Sequence, residues 1–328
     1  MKKVVSVMLA GALALSLFTG CSPKKSGKTN SIAIAIQPSF AFVPVYVAKE
    51  MGYLEEAFAK DQIEVKWNDF ESGPPINESL AAGSSDIGLL GDVPSVSAIA
   101  AGQDNELIAL ACDGPDAYVL LAAADNTSVT SMEDLRGKKV ATVLGSTGHN
   151  MIKKLLEDAN MTFDDIQLTN IAAGDVGIVL STGDVEAAAI WEPNATRLID
   201  NGTARAVFYG SDTSLKGTNA LVARAAYSKN NPEIITTFLE QIVKAVKDID
   251  NGNVPEEVWS KIGEYLRLSN EQIQRLLPKY YYGIKWDEAN KDALQDTIGF
   301  LVSIGRLEEE YNIRDYINDS YYNAIQNK

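Results

Sequence analysis

GPPINESLAAGSSDIGLLGDVPSVSAIAAG, residues 73–102, decides the fold. Pro75–Ala82 has helical spacing and starts just after a glycine and a proline. Ile87–Leu90 is a short run with apolar ends, too short for a core helix, and reads as a buried strand. Gly91-Asp92-Val93-Pro94 then punctuates the chain, and Pro94–Ala101 returns to helical spacing. A buried strand between two helices belongs to a sheet covered on both faces, which predicts an α/β protein rich in parallel strands.

The same rhythm extends outward from this stretch. On its N-terminal side, Ser31–Gln37 and Ile63–Trp67 read as strands around a helical Val43–Lys60, and Glu106–Cys112 follows as a further strand. A second set starts after Asp125. Its strands are Lys139–Leu144, Ile166–Asn170 and Ala187–Trp191; its helices are Met151–Asp158, Asp175–Ser181 and Ala195–Asn201. Tyr118–Ala124 and Asn219–Tyr227 are strand-like runs expected to pair and to carry the chain across and back. From Asn231 the pattern is all helical: Ile235, Phe238, Leu239, Ile242, Val243, Val246 and Ile249 recur at spacings of three and four. The expected lobes are 31–124 plus 217–328 with the C-terminal helices, and 125–216. The YYY run at Tyr280–Tyr282 is read as packing between helices.

The 328 residues carry 29 Lys+Arg against 44 Asp+Glu, a formal charge of −15. Residues 1–30 hold five lysines and no acid, so the remainder has 24 basic against 44 acidic residues, or −20. Such a surface repels phosphate backbones, and nucleic-acid binding is not expected. One His and two Cys exclude a His-rich metal centre and a disulfide scaffold; neither metal nor cofactor is expected. Lys2 and Lys3 precede an apolar run, Val4–Phe18, and then Thr19-Gly20-Cys21, the layout of a secretory signal over 1–20. The cysteine after Gly20 resembles a bacterial lipobox, which implies lipidation at Cys21 and a flexible tether over 21–30.

Three segments place glycine and a capping residue between a strand and a helix: 71–75, 91–94 and 145–149. Amides at such helix starts favour anions, and ligands of open α/β sheets bind at the carboxyl ends of strands. Four stretches then carry a family resemblance: IQPSFAFVPVYVAKEMGYLEE (36–56), the opening segment (73–102), DLRGKKVATVLGSTGHNMIKKLLE (134–157) and GDVEAAAIWEPNATRLI (183–199). Together they resemble the solute-binding proteins of bacterial ABC importers, in the branch that includes aliphatic-sulfonate, taurine and nitrate binders.

That resemblance implies a two-lobed periplasmic-binding-protein-like clamshell (type II), monomeric and anchored outside the cytoplasmic membrane. It would be no enzyme, and would deliver a small solute to the transmembrane subunits of an ABC permease. The implied ligand positions are Gln37, Ser39, Phe40, Ser72, Gly73, Gly91, Asp92, Ser146, Thr147, Gly148, His149, Trp191, Glu192 and Asn219. Asp92 reads equally as the cap of the helix at Val93. Phe40 and Trp191 read as cleft wall or as core. Glu192 suits the amine of a taurine-like zwitterion. The cleft motifs hold no cation, which disfavours nitrate and leaves a sulfonate as the leading ligand. A heterocycle such as a thiamine-precursor pyrimidine, stacked on Trp191 or Phe40, is the alternative. An enzyme using Cys112 as nucleophile and His149 as base is the reading from another class.

Overall fold

The computed structural model describes residues 30–326. The expected signal, Cys21 and all of the tether except Asn30 lie outside them. Ten strands form two five-stranded sheets: β1 Ser31–Ile36, β2 Glu64–Asp69, β3 Ile87–Gly91, β4 Asn105–Cys112, β5 Tyr118–Ala123, β6 Lys139–Thr142, β7 Gln167–Asn170, β8 Ala187–Trp191, β9 Ala204–Tyr209 and β10 Asn219–Arg224. The first sheet runs β2-β1-β3-β10-β4 and the second β7-β6-β8-β5-β9. In each, the first three strands of that order are mutually parallel and the fourth, β10 or β5, is antiparallel to both neighbours.

The first sheet shows why its inner strand β1 is apolar on both sides. Ile32, Ile34 and Ile36 of β1 pack with Phe42, Phe58 and Phe238, whereas Ala35 faces Ile76, Val93 and Ile298. The period of two sends alternate side chains into separate helical layers. The helix Pro232–Asp250 covers one face with Ile235, Phe238, Leu239 and Ile242, and the helices Asp92–Ala100 and Glu288–Ser303 lie on the other.

Three expectations need correction. Tyr118–Ala123 and Asn219–Arg224 do not pair with one another; β5 bonds to β8 and β9 in the second sheet, so the first crossing precedes Tyr118 and does not fall at residue 124. The sequence gives no expectation for β9, an edge strand that is mostly half-buried and includes Arg205. Val43–Lys60 is two helices, Val43–Glu50 and Tyr53–Ala59, separated where Gly52 takes a φ of 70°, a left-handed value that costs glycine little.

The crossings lie side by side. The Gly114 amide donates to the Lys216 carbonyl at 3.2 Å. A Cβ on Gly217 would lie 2.6 Å from the Gly114 oxygen, so this approach requires glycine. Asp113 accepts from the Thr218 hydroxyl at 2.8 Å and from Asn290 at 2.6 Å. Tyr280 and Tyr282 stack with centroids 5.6 Å apart, and Tyr280 meets Phe40 at 5.5 Å, as the packing reading requires; Tyr281 points outward, 70% exposed.

Candidate functional site

The carboxyl ends of β1, β3 and β8 and the start of the helix Thr147–Asp158 converge between the sheets. Between them lies a cavity of about 20 Å³ lined by Gln37, Ser39, Gly73, Gly91, Ser146, Thr147, Trp191 and Asn219, together with Phe42, Pro94 and Tyr118. That volume holds about one water molecule.

Each wall residue has a local reason to be there. Gln37 follows β1 and donates to the Leu89 carbonyl at 2.8 Å, tying the first loop to β3. Ser39 accepts from the Ala41 amide at 3.4 Å and starts a short 3-10 turn. Asn219 opens β10 and donates to the Gly217 carbonyl at 2.8 Å and to the Tyr118 hydroxyl at 3.2 Å. Ser146, in extended conformation at the N-cap of the helix, has a buried hydroxyl with no partner. A buried, unpaired polar group costs about 1–3 kcal/mol, which a hydrogen-bonding occupant recovers. The neighbouring amides of Thr147 and Gly148 belong to the helix's first turn, where no intrahelical acceptor exists.

Thr147 and Asp92 join the lobes. The Thr147 hydroxyl donates to Asp92 Oδ1, which also accepts from the Val93 amide at 2.7 Å; Oδ2 accepts from Thr297 at 3.1 Å. Asp92 is therefore a bridge and not the cap expected at Val93: it is the first residue of the helix Asp92–Ala100, whose N-cap position is Gly91, and both its oxygens are engaged. Burial pushes its carboxyl above the ordinary range, and the bonds from Thr147, Val93 and Thr297 moderate the rise. The bridge needs glycine at 91, where a Cβ would lie 2.7 Å from Thr147 Oγ1.

Several expected contact residues do other work. Phe40 is fully buried; its amide donates to the Glu192 carbonyl at 3.2 Å, its carbonyl accepts from Tyr282 at 2.9 Å, and Phe42 is the ring on the cavity wall. Ser72 is a buried N-cap residue outside the cavity lining. Gly148 packs on the second sheet, where a Cβ would meet Thr142 Oγ1 at 2.9 Å. Glu192 has no free oxygen for an amine: Oε2 accepts from the Thr196 amide at 2.8 Å, and Oε1 from the Thr196 hydroxyl at 3.0 Å and from Lys279 at 2.8 Å.

A larger interlobe cavity, about 350 Å³, shares Pro94 with the first. Asn77 and Ser97 of the first lobe, Leu144, Gly145 and His149 of the second, and Leu301, Ile304 and Arg306 of the C-terminal segment help line it. His149 sits with Phe163 at 5.2 Å and, edge-on, Phe300 at 5.1 Å. Burial first, and Arg306 second, lower its pKa from 6.5 to about 4, so the ring is neutral at pH 7. The sequence reading had no cation in the cleft; Arg306 supplies one from the helical tail.

The Cys–His pairing has no support in this geometry. Cys112 is fully buried and lines neither cavity, while His149 lines the larger one. Burial, with Asp113 adding to it, pushes the thiol well above its ordinary pKa, the reverse of an activated nucleophile. Among the described residues no group of three or more His, Cys, Asp or Glu could hold a metal, and no helix is long and apolar enough to cross a membrane.

Residues 39–253 match the family described as NMT1/THI5 like. The chain belongs to the NMT1/THI5-like family. A relative in Escherichia coli (strain K12), named for binding aliphatic sulfonates, is 32% identical over 243 residues, covering 73% of this chain and 74% of its own length. Another, with the same name, in Bacillus subtilis (strain 168) is 27% identical and covers 98% of this chain and 96% of itself. The solved periplasmic aliphatic sulphonate binding protein SsuA of Escherichia coli superposes with a TM-score of 0.76 at 26% identity, over 88% of this chain and 97% of that one. The fold is thus the periplasmic-binding-protein clamshell. It is shared by an enzyme: the desulfurization enzyme DSZB superposes with a TM-score of 0.70 at 16% identity, over 91% of this chain and 99% of that one, a likeness of fold alone.

Proposed function

We propose that this protein is the extracytoplasmic solute-binding component of an ABC importer, and that it captures a small sulfonate between its lobes and hands it to a permease. The observation that carries the reading is the unpartnered Ser146 hydroxyl, buried in the smaller cavity beside the first amides of a twelve-residue helix. Neutral donors at a helix start hold an anion without the desolvation of a buried cation. A sulfonate is such an anion, and the relatives named above are named for binding it. Entry requires the lobes to part, because the cavity holds only about one water and Thr147 is engaged by Asp92. The Cys21 anchor completes the proposal: a Cys21→Ala precursor should stay uncleaved or leave the membrane, and processed, membrane-bound mutant protein would refute it.

The heterocycle reading is less favoured, since the relatives named above are named for binding aliphatic sulfonates. Isothermal titration with ethanesulfonate, taurine and an aminopyrimidine separates the two. The sulfonates should bind. Heat from the pyrimidine alone would overturn the sulfonate reading. With Glu192 already paired, taurine should gain nothing over ethanesulfonate from that carboxylate.

A further inference from the structure

The larger cavity also lies between the lobes, and the smaller one does not explain it. It adjoins the Ser146–Thr147 helix start through Gly145 and meets the smaller cavity at Pro94. At about 350 Å³ it is in the range of sites that hold organic ligands. Leu144, Leu301 and Ile304 give it an apolar wall, and His149 is neutral at pH 7. Arg306 stands at its edge, exposed and without an ion pair among the described residues. In a chain whose body carries −20, an unpaired cation at a cleft wall marks where negative charge on a ligand is tolerated.

We propose that the larger cavity is a tail subsite, and that the preferred ligand is a sulfonate whose aliphatic tail of a few carbons ends in a second anionic group facing Arg306. The proposal rests on the sulfonate reading above and adds the substrate class. The sulfonate lies at Ser146 and Thr147, the methylene groups cross between Pro94 and Leu144, and the far anion pairs with the guanidinium. Arg306 is a specificity-determining residue in this arrangement; the sulfonate's own donors are unchanged by its removal.

Butane-1-sulfonate and 4-sulfobutanoate have four-carbon chains and differ in the terminal group, so titrating both isolates it. The dianion should bind the parent protein about fivefold more tightly, the scale of one partly exposed ion pair. Arg306→Gln should abolish that advantage and leave butane-1-sulfonate within about twofold. Ser97→Phe, on the cavity wall, should weaken both four-carbon ligands while sparing methanesulfonate. Equal affinity of the two ligands for the parent, or an equal loss of both in Arg306→Gln, would overturn the role of Arg306. Unchanged four-carbon binding in Ser97→Phe would overturn the tail subsite. If methanesulfonate also fails to bind the parent, the sulfonate reading itself falls, and this inference with it.

Discussion

His149 and Asp92 meet the lobe interface from opposite sides and respond oppositely to acid. The unfolded His149 takes a proton near 6.5, the folded one only at about 4, so the unfolded state holds more protons between those values. Its contribution to stability is therefore intact above pH 6.5 and is lost as pH falls toward 4, by up to about 3 kcal/mol. Asp92 has its pKa raised, so its charged form costs stability at neutral pH and protonation relieves that cost on acidification. Calorimetry of the parent and His149→Gln from pH 7 to 4 should show the parent's advantage shrinking through that window. A difference independent of pH would refute the buried neutral imidazole. Lys279 poses a simpler case, since it pairs with a Glu192 side chain only 1% exposed. Lys279→Met leaves that carboxylate without its cation, and denaturant titration should show a loss of about 3 kcal/mol. A loss below 1 kcal/mol would mean that Thr196 alone suffices.

Among the elements, the proposed sulfonate site gives the helix Thr147–Asp158 the most weight. Thr147 is its first residue, a position that accepts proline, and Ser146 before it already has the extended backbone that proline demands. Thr147→Pro should therefore fold while losing one amide and the hydroxyl, whereas Thr147→Val loses only the hydroxyl. Sulfonate affinity should fall about tenfold further in the proline variant, as for one hydrogen bond to a charged group. Equal losses would move the anion away from this helix start. The strand–helix rhythm and this junction were legible in the sequence because both rest on local spacing and capping. Sheet membership of β5 was not, since an apolar strand carries no mark of its distant partner. Edge strand β9 escaped because it is half-buried and carries charge. Arg306 escaped for a similar reason: only the packing of Glu288–Ser303 on Asp92–Ala100 brings it to the cleft.

At the scale of the whole molecule, two sheets of matching order meet through two adjacent crossings, and cross-lobe pairs close the faces. Lys154–Asp296 is one such contact, and Asp200 with Arg275 and Gln272 is another. Hinge motion at Asp113–Ala117 and 210–218 would open the cleft without disturbing either sheet. Small-angle scattering should accordingly give a smaller radius of gyration with saturating butane-1-sulfonate than without it. An unchanged curve alongside measured binding heat would argue against closure. The central claim, that a sulfonate is held between the lobes at a helix start, is tested most directly by a crystal structure of the complex with butane-1-sulfonate, located by the anomalous signal of sulfur. The sulfonate oxygens should lie within hydrogen-bonding distance of Ser146 Oγ and the Thr147 amide, with Asn219 and Gly91 across the cavity. A sulfonate bound elsewhere on the protein would contradict it.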